Sequence, residues 1–259
     1  MKPPKIIGIS LVQNENIHIK WAISNIIDFC DKIIVLDNYS SDGTYDIVEN
    51  MAKKCDKIKL FKISNPLVES HPPIEKYAGE RAWVFGVDGD EIYDPNGLTK
   101  IKEEIYDGKY DNYWQLRSYF LNATIVDKDK KEAKGYLAPP SREATKLHNF
   151  HLLKYWKSDT ERLHGRNKAF KDGIDPIKFN LYDECDWEDA NLRCIHACFA
   201  KRSTNQKEGK IRFAPREVMK RRCRDMKDIK APDIPSKIDK YGGEELITKD
   251  ISDFIIKEK

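Results

Sequence analysis

Several familiar signatures are missing from this 259-residue chain. No G-x-G-x-x-G follows the first apolar run, and no G-x-x-x-x-G-K-[ST] occurs anywhere. The first absence argues against a dinucleotide-binding fold and the second excludes a P-loop, so nucleotide phosphates here would need a metal rather than a glycine nest. The six cysteines, at 30, 55, 185, 194, 198 and 223, form no C-x-x-C pair. Cys30 and Cys55 fall on apolar helix faces and read as small buried hydrophobes. Cys194 and Cys198 flank His196 at a spacing that suits an alternating strand better than a structural zinc site. This cysteine usage fits a reducing compartment. No apolar run is long enough to span a bilayer, and Met1-Lys2-Pro3-Pro4 leads straight into a strand-like run with no visible signal peptide. The expected location is therefore cytoplasmic, peripheral to a membrane at most, and the Asn122-Ala123-Thr124 sequon reads as chance. A net charge of +3 does not by itself call for nucleic acid as a partner.

What is present describes a globular protein with a heavily charged surface: 40% hydrophobic, 34% charged and 10% aromatic residues, without repeats or low-complexity tracts. Lys5 to Val12 reads as a first strand. Ile19, Ala22, Ile23, Ile26, Ile27 and Cys30 then mark one face of an amphipathic helix. Ile33-Ile34-Val35-Leu36 is a buried strand ending in Asp37. The turn Asn38–Thr44 leads to a second helix through Ile47, Val48, Met51, Ala52 and Cys55, and Lys57 to Ile63 is a third strand. Strand, helix, strand, helix, strand at this rhythm predicts a parallel sheet with right-handed crossovers. Ser64 to Gly79 reads as a Pro-containing loop, and Asp94-Pro95-Asn96 opens a helix to about Tyr106. Asn112 to Phe120 and Ala123 to Val126 read as two strands, with Asp127–Lys131 a hairpin tip or loop. Cys194 to Phe199 reads as a strand carrying His196.

The chain is organised around Trp83-Val84-Phe85-Gly86-Val87-Asp88-Gly89-Asp90-Glu91-Ile92. Its apolar part reads as a strand covered on both faces, and its acids fall where that strand would leave the sheet, the place where α/β proteins bind ligands. Asp88 and Asp90 project the same way from an extended chain, with Gly89 permitting a turn. Hard oxygen ligands so arranged suit Mg²⁺ or Mn²⁺ together with substrate phosphates. The plain alternative is an acidic turn with no ligand.

Three segments in order carry a resemblance. Ile6–Asn16, Val35-Leu36-Asp37-Asn38-Tyr39-Ser40-Ser41-Asp42-Gly43-Thr44 and Val87-Asp88-Gly89-Asp90-Glu91 resemble the nucleotide-binding half of family 2 glycosyltransferases. The second is similar to that family's V-D-x-x-S-x-D-x-T element and the third to its L-D-x-D-E element. Further on, Trp187-Glu188-Asp189-Ala190-Asn191-Leu192 is similar to its E-D-x-D-L stretch, with Asn191 in place of an acid. The resemblance implies a GT-A-like α/β fold: a mostly parallel central sheet flanked by helices, over residues 1–206. A basic helical tail, including Lys220-Arg221-Arg222-Cys223-Arg224, is expected over 207–259.

The resemblance also implies roles. Asp37 would accept a hydrogen bond from the donor's base, Asp88 would lie by its ribose and sugar, and Asp90 would bind Mn²⁺ or Mg²⁺. His196 is a further metal ligand or a histidine packed in its strand. Arg81 contacts the diphosphate or is a solvated charge at the strand entry. Asp189, with Glu188 and Asp186 as substitutes, would be the base that deprotonates the acceptor. The implied activity is inverting transfer of a sugar from a nucleotide-sugar donor to a glycan or other hydroxyl acceptor. A sugar-nucleotide nucleotidyltransferase is a rival, weakened because Gln13-Asn14-Glu15-Asn16 is neither Gly-rich nor basic. A non-catalytic nucleotide-sugar-binding module of the same fold is another. The basic tail could hold a charged acceptor or touch an anionic membrane surface, although its apolar face is thin.

Overall fold

The computed structural model describes residues 2–138, 144–157, 160–165, 167–206 and 245–256. Its first half follows the sequence periodicity closely. The strands are β1 (Lys5–Val12), β2 (Lys32–Asp37) and β3 (Ile58–Lys62), joined by helices α1 (Ile19–Ile26) and α2 (Thr44–Lys54). After two four-residue helices, α3 (Pro66–Glu69) and α4 (Pro72–Glu75), comes β4 (Ala82–Gly86), then β5 (Glu91–Tyr93) and helix α5 (Pro95–Tyr106). The second half holds β6 (Gln115–Asp127), β7 (Glu132–Ala138), β8 (Ala144–Asn149), β9 (Leu153–Trp156), β10 (Lys168–Phe170), β11 (Lys178–Asn180), β12 (Arg193–His196) and β13 (Ile247–Asp250).

The order across the sheet is β13-β7-β6-β8-β4-β1-β2-β3. β4, β1, β2 and β3 form the expected parallel block, while β8, β6, β7 and β13 continue it antiparallel. Ile6, Ile7 and Ile9 of β1 are all buried, as a central strand covered on both faces requires. Ile19, Ala22, Ile23 and Ile26 of α1 have no exposed surface. Burial of each isoleucine there stabilises the fold by roughly 1.5–3 kcal/mol. In the chain's first excursion the order steps outward from β1 to β3 and then returns to β4 on β1's other side. The ends of β1, β2 and β4 therefore share one crevice at this reversal of direction.

Four sequence expectations change. The loop expected from Ser64 to Gly79 contains α3 and α4, because Pro occupies the first helical position in each and Asn65 caps the first by accepting from the Leu67 amide. The two strands expected over 112–126 are one, β6. Asn122 does not interrupt it, since its side chain is buried and its Oδ1 lies 3.0 Å from His196 Nδ1. The strand expected over 194–199 ends at His196. The basic stretch 207–244, with its expected helix and membrane contact, lies outside the described residues. The end of that expected helical tail is instead β13, paired antiparallel with β7, followed by a 3₁₀ turn at Ser252–Phe254.

Candidate active site

Asp37 closes β2 at 1% exposure. Its Oδ1 accepts from the Ser40 amide at 3.0 Å, which folds the chain back with Tyr39 held at φ 52°. Its Oδ2 is buried with no hydrogen-bond partner among the described residues. Burial raises this carboxyl's pKa, and the bonds from Ser40 offset only part of the shift. A buried carboxylate oxygen left open at a strand end is costly without a ligand and suits an N–H donor. The neighbouring residues brace the turn rather than face the crevice. Ser40 Oγ accepts from the Asn14 amide at 2.8 Å, Asp42 Oδ2 from the Asn16 amide at 3.2 Å, and Thr44 Oγ1 from the Glu15 amide at 2.7 Å.

Asp88, Gly89 and Asp90 follow β4 in the same crevice. Asp88 Oδ1 accepts from Arg162 Nη1 at 2.6 Å, and Lys146 Nζ on β8 lies 3.9 Å from Asp88 Oδ2. Burial opposes the charge on Asp88, but Arg162 and Lys146 outweigh it and hold the carboxyl well below the usual range. Glu91 anchors the turn from below: its Oε2 accepts from the Asp88 amide at 3.0 Å, and its Oε1 pairs with Lys146 Nζ. Burial pushes Glu91 up to about 7, aided by Asp88 and opposed by Lys146. Glycine eases two close approaches. A Cβ on Gly86 would meet Leu163 Cδ1 at 2.9 Å, and one on Gly89 would meet Glu15 Cγ at 2.8 Å. The first lets the 160–165 loop lie on β4, which carries Arg162 to Asp88. The second seats the acidic turn against Glu15.

Asp90 is 1% exposed, and its Oδ2 faces His196 Nε2 at 3.6 Å. His196 Nδ1 lies 3.0 Å from Asn122 Oδ1. In the neutral tautomer whose Nδ1–H donates to that amide oxygen, the lone pair of Nε2 would point toward the carboxylate. A carboxylate oxygen and a ring nitrogen so placed can share a divalent ion, and a ring nitrogen fixed by an outer hydrogen bond is the usual state of a ligating histidine. Among the described residues no three His, Cys, Asp or Glu side chains are grouped to hold a metal. A Mg²⁺ or Mn²⁺ ion taking one or two protein ligands, with phosphate oxygens and water completing its shell, fits this donor set.

The structure thus brings Asp37, Asp88, Asp90 and His196 to one crevice. It does not bring Arg81 there, because Arg81 precedes β4 and lines a cavity of about 200 Å³ with Pro4, Trp83, Asp111 and His151 at the opposite end of that strand. Asp186, Glu188 and Asp189 also lie apart, before the N-terminal end of β12, whereas His196 stands at its C-terminal end. Four residues of strand span about 10 Å. Glu188 pairs there with Lys249. The residues missed in sequence are the cations Lys146 and Arg162, and Glu161, whose Oε1 lies 4.0 Å from Arg162 Nη2 and 3.4 Å from His164 Nε2. Glu161-Arg162-Leu163-His164 is rich in charge in the sequence, but nothing in it points to Asp88.

The profile described as "Glycosyl transferase family 2" matches residues 14–175, more than half of the chain. The chain belongs to glycosyl transferase family 2. Among curated proteins, this family 2 chain is 35% identical over 141 residues to the SPbeta prophage-derived glycosyltransferase SunS of Bacillus subtilis (strain 168). That match covers 53% of this chain and 30% of SunS, so the chain spans about a third of the curated relative's length. Among solved structures, it aligns with the mannosyltransferase PcManGT of Pyrobaculum calidifontis, in complex with GDP-Man and Mn²⁺. The identity is 18% and the TM-score 0.34, over 46% of this chain and 36% of that one. Glucosyl-3-phosphoglycerate synthase of Mycobacterium tuberculosis, in complex with Mn²⁺, UDP and glucosyl-3-phosphoglycerate, aligns at 20% identity and a TM-score of 0.33, over 45% and 44%.

Proposed function

We propose that this family 2 chain is a divalent-metal-dependent, inverting glycosyltransferase that moves a sugar from a nucleoside diphosphate to a hydroxyl acceptor, a glycan or another alcohol. The observation that carries the reading is the convergence in one crevice of the open Asp37 carboxylate oxygen and the Asp90–His196 pair. The first suits an imide N–H of a nucleobase, and the second a metal that would ride on the diphosphate. The name of SunS, a glycosyltransferase, points the same way.

Asp90 and His196 would hold the ion, and when bound it neutralises charge that accumulates on the departing diphosphate. Asp88, kept ionised by Arg162 and Lys146, presents a carboxylate edge for hydroxyls of the ribose and sugar. Glu91 and Lys146 lock the turn so that this edge is preorganised. Removal of the acceptor proton needs a base, which contributes about 10²–10⁴-fold. Asp189 is the base by motif, with Glu188 and Asp186 beside it, and its place beyond the far end of β12 weighs against it. Glu161 lies next to the Arg162–Asp88 pair, and we assign the proton to its carboxylate.

The test is thermal stability with UDP, GDP, dTDP or CDP, each with and without Mn²⁺, on wild type and Asp90→Ala, followed by slow donor hydrolysis. One nucleotide at ~100 times its Kd should add about 2.7 kcal/mol, only with metal and only in wild type. No shift with any nucleotide would refute the reading. Binding without donor hydrolysis would mark a binding module.

A further inference from the structure

One cation of the chain sits on the oxygen that the metal would need. Arg202 Nη1 lies 2.8 Å from Asp90 Oδ2, the oxygen that faces His196, and 3.3 Å from Glu15 Oε1. The three side chains are withdrawn from solvent, at 15% exposure for Arg202, 1% for Asp90 and 10% for Glu15. A guanidinium placed between two buried carboxylates is therefore a structural charge of this crevice and not a surface ion pair.

Arg202 is also held in place by its own segment. Residues 201–206 run as a strap over the two loops that frame Asp37. The Ile17 amide donates to Arg202 O at 3.1 Å, and His18 Nε2 lies 3.0 Å from Lys201 O. Ser203 Oγ donates to Asp42 Oδ2 at 2.6 Å, the Thr204 amide to Asn16 Oδ1 at 3.0 Å, and Asn205 Nδ2 to Ser41 O at 3.2 Å. The strap thus bonds to both the β1–α1 loop and the β2–α2 turn, and a nucleotide seated against that turn would meet its edge.

We propose that Arg202 is the resident counter-ion of Asp90, and that it makes metal binding conditional on the diphosphate. The proposal rests on the donor-site reading above. A divalent ion arriving alone must share Asp90 Oδ2 with a guanidinium fixed 2.8 Å away, and like charges in a site of low dielectric repel strongly. A diphosphate changes the balance, because a guanidinium pairs with phosphate oxygens in a bidentate fork. Arg202 then passes from Asp90 to the phosphates, and the carboxylate becomes available to the ion. The metal and the nucleotide enter as a pair, and the strap reports the nucleotide to the metal ligand.

The experiment is titration of the full chain with Mn²⁺ alone and with Mn²⁺ plus each of UDP, GDP, dTDP and CDP, following free Mn²⁺ by electron paramagnetic resonance. Wild type should bind Mn²⁺ weakly alone and more tightly with one of the nucleotides. Arg202→Gln should bind Mn²⁺ alone about tenfold more tightly than wild type, with the enhancement by nucleotide reduced by a similar factor, since coupling between two ligands is reciprocal. Metal-alone binding that is unchanged or weaker in Arg202→Gln, while wild type keeps its nucleotide response, would overturn the proposal and leave the donor site intact. Wild type that binds no nucleotide, with metal or without, would overturn the donor site and this inference with it. If Arg202→Gln does not fold, Ser203→Ala carries the test. It loosens the strap without touching the charges and should tighten metal-alone binding about threefold, and no change there would count against the proposal.

Discussion

Replacing Asp37 with Asn separates ligand binding from turn formation at one atom. The side-chain oxygen of Asn can keep the bond from the Ser40 amide that Oδ1 now makes. Its NH₂ then stands where the open Oδ2 stood, so that a donor faces the imide N–H of a base. A charge-assisted acceptor bond is lost, at about 1.5–3 kcal/mol, and two donors are left opposed, at about 1–3 kcal/mol. Taking about 3 kcal/mol in total, nucleotide affinity falls by about 140-fold at 1.4 kcal/mol per tenfold. The ligand-free protein behaves differently. Burial raises the pKa of Asp37, so the folded state takes up this proton more readily than the unfolded chain. Wild-type stability therefore declines as pH rises through that raised value. An amide removes the charge but leaves its NH₂ unpaired in the same buried place, so Asp37→Asn should stay within about 1 kcal/mol of wild type at neutral pH. Urea denaturation gives the stability, and calorimetry with the responding nucleotide and Mn²⁺ gives the affinity. A variant that loses more than about 1 kcal/mol of stability while binding nucleotide like wild type would refute the reasoning and make Asp37 a turn residue only.

Other perturbations follow from the same contacts. Lys146→Met leaves Glu91 buried beside Asp88 without its partner and should cost about 3–5 kcal/mol in urea denaturation, most of it recovered by adding Glu91→Gln. Asn122→Ala frees the His196 ring and should weaken Mn²⁺ binding in the presence of nucleotide by about 10–100-fold, read by titration, with little change in melting temperature. Burial pulls the His148 pKa down to about 3, so the ring stays neutral in the fold while the unfolded chain protonates. Stability should then fall as pH drops below about 6.5, by up to ~1.4 kcal/mol per unit, and His148→Gln should flatten that slope. Glu161→Gln should lower kcat more than KM and remove the acidic limb of the pH–rate profile, and an equal loss in Asp189→Asn but not in Glu161→Gln would move the base to Asp189.

The parallel half was legible because each element there is set by its own apolar spacing. The stripe from Ile19 to Ile26 and the run from Ile33 to Leu36 need no distant partner to be recognised. The acidic turn was legible for the same reason, as an apolar strand ending in Asp88 and Asp90. What sequence could not supply is pairing across long separations. Arg162 reaches Asp88 across 74 positions, and Arg202 reaches Asp90 across 112. Neither carries a local sign distinguishing it from a solvated charge. Asn122 misled in the other direction: a residue disfavoured in strands looked like a break, yet its amide is used inside the sheet to hold His196. Ile247–Asp250 is too short and too mixed in polarity for its pairing to be visible without β7.

The last strand sets where this protein can be cut. β7 would offer a row of unpaired amides and carbonyls to any passing chain if β13 did not lie against it. Beyond β13, Phe254 is fully buried, and its carbonyl accepts from Trp21 Nε1 and Asn25 Nδ2 on α1, both at 2.7 Å. A fragment ending after residue 206 would keep the crevice and every acid discussed above. It would also expose a strand template on one side and, on the other, remove the acceptor of Trp21 Nε1 and one of the two acceptors of Asn25 Nδ2. Such a fragment is a recipe for aggregation, so a soluble minimal form must retain the segment through Phe254 even if the stretch before it is dispensable.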